Sequence, residues 1–186
     1  MIRSRALSRF RQDDRGAAAV EFALLLPVIL VIYMCVVEFT QAFMVQRRVA
    51  HATSQVADIT AQSGQVTKAS LDSFFDIAQL IMSPFGSAPM QSKVTSVTRI
   101  DDKNIIRWSH ARGLSPDTVG DEITIPVGLL ENDGDTLILS QSVYAYDSPY
   151  DIAIPGFDDY LSGLTTFRRE FYLRPREVVE VSCLDC

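Results

Sequence analysis

Hydrophobic positions crowd into one end of this chain before they begin to alternate with polar ones. From Ala17 to Val37 the run AAAVEFALLLPVILVIYMCVV carries a single charge, Glu21. As a helix rising about 1.5 Å per residue it spans roughly 31 Å, which matches a bilayer's hydrocarbon core of about 30 Å. The pattern predicts a membrane-spanning helix. Beyond it, Ala42, Val45, Val49, Ala52, Val56 and Ile59 recur at intervals of three and four, while Gln46, Arg47, Arg48, Ser54, Gln55 and Asp58 fall off that line. This is one apolar seam on an amphipathic extension. With Gly64 as its stop, the reading is a single helix from about Ala17 to Ser63, or two helices broken near Phe39 to Gln41. Pro27, which lacks an N–H, is a candidate kink.

A second, short amphipathic helix is predicted from Leu71, Phe74, Phe75, Ala78, Ile81 and Met82, with Ser70 as its N-cap and Pro84 as its stop. After the turn-rich PFGSAP the texture changes to β-branched and aromatic residues. KVTSVTRI, NIIRWSHA, DEITIPVGLL and DTLILSQSVYAY read as strands. Asp101-Asp102-Lys103-Asn104 and Asn132-Asp133-Gly134-Asp135 read as hairpin connections. DSPYDIAIPGFDDYLSGL reads as a long loop, broken by Pro149, Pro155 and Gly156. A last strand runs through Thr166 to Leu173 and, past Pro175, through Glu177 to Ser182. The expected class is α+β: a single-span protein with a long N-terminal helix, a short second helix and a mainly antiparallel sheet. Its parts are a basic leader over residues 1–16, the membrane helix (about 17–37) with its extension over 17–63, and an α+β domain over 64–186.

Charge gives this arrangement a direction. Arg3, Arg5, Arg9, Arg11 and Arg15 precede the apolar run against only Asp13 and Asp14, and the next basic residues are Arg47 and Arg48. The positive-inside bias places the N-terminus in the cytoplasm and the domain outside it. Of the chain's net charge of −6 the leader contributes +3, which leaves −9 on the remainder. So acidic a domain repels phosphates, and nucleic acid is excluded as a partner. A cleavable secretory signal does not fit, because the small residues GAAA come before the apolar run rather than after it.

Little in the chain points to catalysis. His51 and His110 sit in no nucleophile motif, so the chain is not expected to be an enzyme. Trp108, Tyr144 and Tyr146 fit sheet packing better than a carbohydrate platform. Of the three cysteines, Cys35 lies in the apolar run, while Cys183 and Cys186 can close a small ring, join a partner chain or stay as thiols. Zinc would need two more ligands at metal-site spacing, so neither a metal nor a cofactor is expected. Glu21 is the anomaly. A charge at the bilayer centre costs roughly 2.5–3.5 kcal/mol, which makes a functional partner the expectation; Glu38, at the other end, reads as a solvated boundary residue.

The string R-G-A-A-A-V-E-F at Arg15 to Phe22, leading directly into an apolar helix, resembles the processing site of type IV pilin-like proteins. More narrowly it resembles the TadE-like pseudopilins of tight-adherence (Tad or Flp) pilus systems. SQSVYAYDSP at Ser140 to Pro149 and RPRE at Arg174 to Glu177 extend the resemblance. It implies a cut between Gly16 and Ala17 by a membrane-embedded prepilin peptidase, with Glu21 as the fifth residue of the mature chain and Phe22 beside it. The ammonium freed at Ala17 would lie about 6 Å along the helix axis from Glu21. The implied partners are that peptidase, other pilin-like subunits, the pilus assembly machinery and the membrane, with Ala17, Ala18, Ala19 and Ala23 allowing close helix approach. The alternative is an unprocessed single-span protein with an extracytoplasmic binding or scaffolding domain.

Overall fold

The computed structural model describes residues 16–85, 89–146 and 166–186. The basic leader up to Arg15 and the loop read at residues 147–164 lie outside the described residues. Helix α1 runs unbroken from Ala17 to Gln62 with Pro27 inside it, so the single-helix reading holds and the break near Phe39 to Gln41 does not occur. The chain divides after Gln41 into two compact units.

In the first unit the described residues are the N-terminal part of α1. Its apolar side chains are exposed all round, Leu24 at 72% and Phe39 at 73%. Among the described residues α1 is the one helix long and apolar enough to cross a membrane. Such a surface suits lipid or other apolar helices, not water. Glu38 departs from expectation: it is half-buried rather than solvated, and its Oε2 has no hydrogen-bond partner among the described residues.

The second unit is a helix-covered sheet. On the remaining part of α1, Val45, Val49, Ala52 and Val56 are buried as the seam requires, but Ile59 is only half-buried, and Thr60 and Ala61 take the inner position. A three-four repeat averages 3.5 residues per turn, and on a straight helix of 3.6 it drifts about 20° per heptad. The hydroxyls of Thr53 and Thr60 stay satisfied in the core by donating to the carbonyls of Val49 and Val56, each at 2.7 Å.

Strand β1 (Gln65–Val66) leads into helix α2 (Lys68–Ile81). Its N-cap is Thr67, not Ser70. Thr67 Oγ1 accepts the Ser70 N–H at 3.1 Å, while Ser70 Oγ accepts the Thr67 N–H at 2.8 Å, a reciprocal capping box that starts the helix one turn earlier than expected. Leu71, Phe75 and Ala78 form its buried face.

The sheet comprises β2 (Gln91–Ile100), β3 (Lys103–Arg112), β4 (Thr136–Ala145) and β5 (Thr166–Leu173) in the order β3-β2-β4-β5, with every pairing antiparallel. Asp101 and Asp102 turn β2 into β3 with φ of 49° and 63°, the left-handed pair a tight hairpin needs. A bulge leaves Arg107 without a partner on β2: Ser96 pairs with Trp108, but Val97 pairs with Ile106. Trp108 and Ile106 therefore take opposite faces despite being two residues apart. Trp108 joins Val94, Ile138 and Tyr144 in the main core with the buried residues of α1 and α2. Val97 and Leu137 on the other face form a smaller cluster with Ile125 and Leu130.

Two expected strands are corrected. DEITIPVGLL makes only one bridge, Glu122 to Ile105, because Pro126 offers no N–H and Gly128 turns the chain at φ +91°. Asn132 to Asp135 accordingly lead into β4 without closing a hairpin. Glu177 to Ser182 is likewise not a strand; residues 176–180 are bends, tied by the Arg176 N–H to the Ala61 carbonyl at 3.0 Å and by the Thr136 hydroxyl to the Val179 carbonyl. Only Ser182–Cys183 (β6) is extended, and it pairs in parallel with β1.

Candidate processing and assembly site

Gly16 stands immediately before the first residue of α1, and a Cβ added there would meet nothing within 4 Å. Among the described residues, therefore, nothing makes a steric demand for glycine at that position. Ala17, Ala18 and Ala19 form the exposed first turn. Glu21 is exposed in the second, and Phe22 beside it is 60% exposed. Ala17 and Glu21 are four residues apart on one helix face, about 6 Å along the axis. The structure thus offers small residues, an acid and an aromatic on an unobstructed helix end.

The second pair of sequence candidates lies in the other unit. Cys183 and Cys186 are bonded to each other, with Cα atoms 5.6 Å apart, and Cys35 is free and exposed. Asp185, between the bonded cysteines, accepts the N–H of Lys68 on Oδ1 at 2.8 Å, and the Leu184 N–H donates to the Val66 carbonyl at 3.0 Å. Cys183, Asp185 and Cys186 lie close enough together to suggest a metal cluster, but sulfurs held in a disulfide are not thiolate ligands.

Residues 16–58 match the family model of the TadE-like protein. Over this stretch the chain is TadE-like. The match starts on Gly16, the residue before the expected cut, and stays within α1 to Asp58. With a helix long and apolar enough to cross a membrane, the match points to a Tad pilus-associated membrane protein. No curated protein and no solved structure matches the chain. SQSVYAYDSP and RPRE fall outside the matched residues; of the latter, Arg174 pairs with Asp135 at 3.4 Å and Arg176 with Asp58 at 2.7 Å.

The other candidates have structural work. His110 Nε2 lies 3.1 Å from Asp72 Oδ1 on α2, and its ring stacks on Phe75 at 5.8 Å. Burial disfavours the Asp72 carboxylate, but hydrogen bonds with His110 and Arg112 outweigh it and hold the pKa below the usual value. Hydrogen bonding to Asp76 raises the Arg112 pKa, so the cluster is an ionic clasp between α2 and β3. His51 is exposed on α1. Trp108 is buried and donates from Nε1 to the Val181 carbonyl at 2.7 Å, Tyr144 donates to the Phe85 carbonyl, and Tyr146 is buried with its ring 6.3 Å from Phe167. Sequence reasoning missed the cap by Asp185 and the pair Arg168–Arg169 on β5, whose only trace in the sequence is two consecutive arginines amid strand residues.

Proposed function

We propose that this Tad pilus-associated membrane protein is a minor pilin-like subunit, cut by a prepilin peptidase between Gly16 and Ala17 and assembled through α1. The observation that supports this most directly is the coincidence at Gly16: the family match begins there, and packing among the described residues gives no reason for glycine. In this reading the leader is cytoplasmic and the domain lies beyond the inner membrane. The chain is then an enzyme's substrate rather than an enzyme. Small residues at 16–19 give the peptidase access to the backbone. Cutting exposes an ammonium at Ala17, and Glu21 neutralises it or that of a neighbouring subunit, which offsets the cost of an acid at the membrane edge.

Intact mass and N-terminal sequencing of protein purified from cells with an active prepilin peptidase test the reading. A mature chain beginning at Ala17 is expected. Gly16→Val should leave the leader attached, and Glu21→Ala should insert into the membrane yet lose processing or pilus assembly. A retained leader in the unaltered protein would instead establish the unprocessed, scaffolding alternative.

A further inference from the structure

Strand β5 is an edge of the sheet, hydrogen-bonded to β4 on one side. Among the described residues, no backbone hydrogen bond occupies its other side. An open edge is a row of unpaired N–H and C=O groups, ready to pair with another extended chain. What distinguishes this edge is its charge. The other arginines of the second unit all face a carboxylate or an aromatic ring: Arg47 and Arg48 lie over Phe43 and Phe85, and Arg99, Arg107, Arg112, Arg174 and Arg176 are in ion pairs. Arg168 and Arg169 have no such partner among the described residues. They are consecutive, so they project to opposite faces of the strand and flank its edge on both sides.

Arg168 lines a cleft of about 210 Å³ with Lys93, Gln141, Val143 and Glu170, on the sheet face opposite the one to which Arg169 projects. Glu170 is in no ion pair with either among the described residues: one oxygen accepts from Gln141 at 2.8 Å and the other from the Tyr172 hydroxyl at 2.9 Å. A second copy of β5 would offer only Glu170 against the two arginines and would add two more of its own, whereas a strand bearing consecutive acids meets complementary charge at both. We propose that β5 is a docking edge for an extended segment of a partner protein bearing two consecutive acidic residues. The added strand pairs with the β5 backbone, and its two acids, projecting to opposite faces, meet Arg168 and Arg169. The proposal is independent of processing at Gly16.

The test uses isotope-labelled full-length chain in detergent and two capped peptides of one composition, Thr-Val-Asp-Glu-Val-Thr and Thr-Asp-Val-Glu-Val-Thr. The first places its acids on opposite faces of a strand and the second on the same face. The expected result is binding of the first peptide, with amide shifts centred on residues 166–173, and weaker binding of the second. Binding of the first should fall about tenfold in the R168E/R169E double variant, whose Trp108 fluorescence should be unchanged. An N-methylated version of the first peptide, lacking backbone donors, should not bind. Absence of binding, equal binding of the two spacings, or binding that survives N-methylation would overturn the proposal. So would competition by inorganic phosphate at the same concentration, which would reveal a simple anion site.

Discussion

Asp185 accepts the backbone N–H of Lys68, 117 positions earlier in the chain, and so caps the first turn of α2 from outside the helix. The first turn of any helix has unsatisfied N–H groups and the positive end of the dipole, so a carboxylate there is favourable. Two constraints hold it in place. The Leu184 N–H is bonded to Val66, and the Cys183–Cys186 bond closes the chain around Asp185. Helix α2 is therefore capped twice, by Thr67 from its own sequence and by Asp185 through the tertiary fold.

Removing the outer cap should be measurable. Asp185→Ala is expected to cost about 1 kcal/mol, typical of a lost cap. Cys186→Ser is expected to cost about 2 kcal/mol, the chain-entropy value for a ring of about four residues. Because the ring positions the cap, the double variant should lose less than the sum. Urea unfolding followed by Trp108 fluorescence reads all three; strictly additive losses would show that ring and cap act independently.

Asp135 predicts a pH dependence. Its Oδ2 accepts the N–H groups of Asn132 and Glu131, both at 3.1 Å, with Arg174 nearby, and these interactions hold its pKa below 3.8. A carboxyl with a depressed folded pKa contributes stability that is fully present above its unfolded value and is lost as pH falls through the folded one. Melting temperatures of the parent chain and Asp135→Asn should therefore differ most above about pH 4 and converge as pH drops below it. A gap that stays constant from neutral to acid pH would show that the turn does not use the ionised form.

The helix-facing side of the sheet contains buried serines, and Ser140 is the clearest case: it is fully buried, and its Oγ has no partner among the described residues. An unsatisfied buried hydroxyl is a cost, so Ser140→Ala should be neutral or should stabilise by up to about 1 kcal/mol. Ser140→Val should destabilise by about 1–3 kcal/mol, because added methyls have no room beneath the helices. Thermal unfolding distinguishes these outcomes; a clear loss on Ser140→Ala would mean the hydroxyl is satisfied, by ordered water for example.

The apolar run at 17–37, the seam from Val45 to Val56 and the strand texture of β2 to β5 were readable because each is a local period imposed by backbone geometry. Pro126 and Gly128 were visible too, yet the β-branched residues around them outweighed that signal in a local reading. Ser70 was a plausible cap by residue type, but whether Thr67 or Ser70 starts α2 depends on which hydroxyl meets an orphan N–H. The bulge at Arg107 has no local signature; it follows from placing Trp108 under the helices while Ile106 faces the other cluster. Within the N-terminal site, Gly16, Ala17, Glu21 and Phe22 fall in one short string, which carries the main part of the resemblance. The clasp of Asp72, His110 and Arg112 is not contiguous, and no spacing announced it.

The sequence by itself determined the membrane-compatible helix, the acidic character of the domain and the TadE-like N-terminus, because composition and short-range periodicity need no partner elsewhere in the chain. Only the tertiary structure decided that β5 is an edge, that among the described residues Arg168 and Arg169 lack the partners their fellow arginines have, and that Asp185 caps α2. Each of these depends on which distant segments meet, and that is settled by the joint burial of two helices on one sheet face.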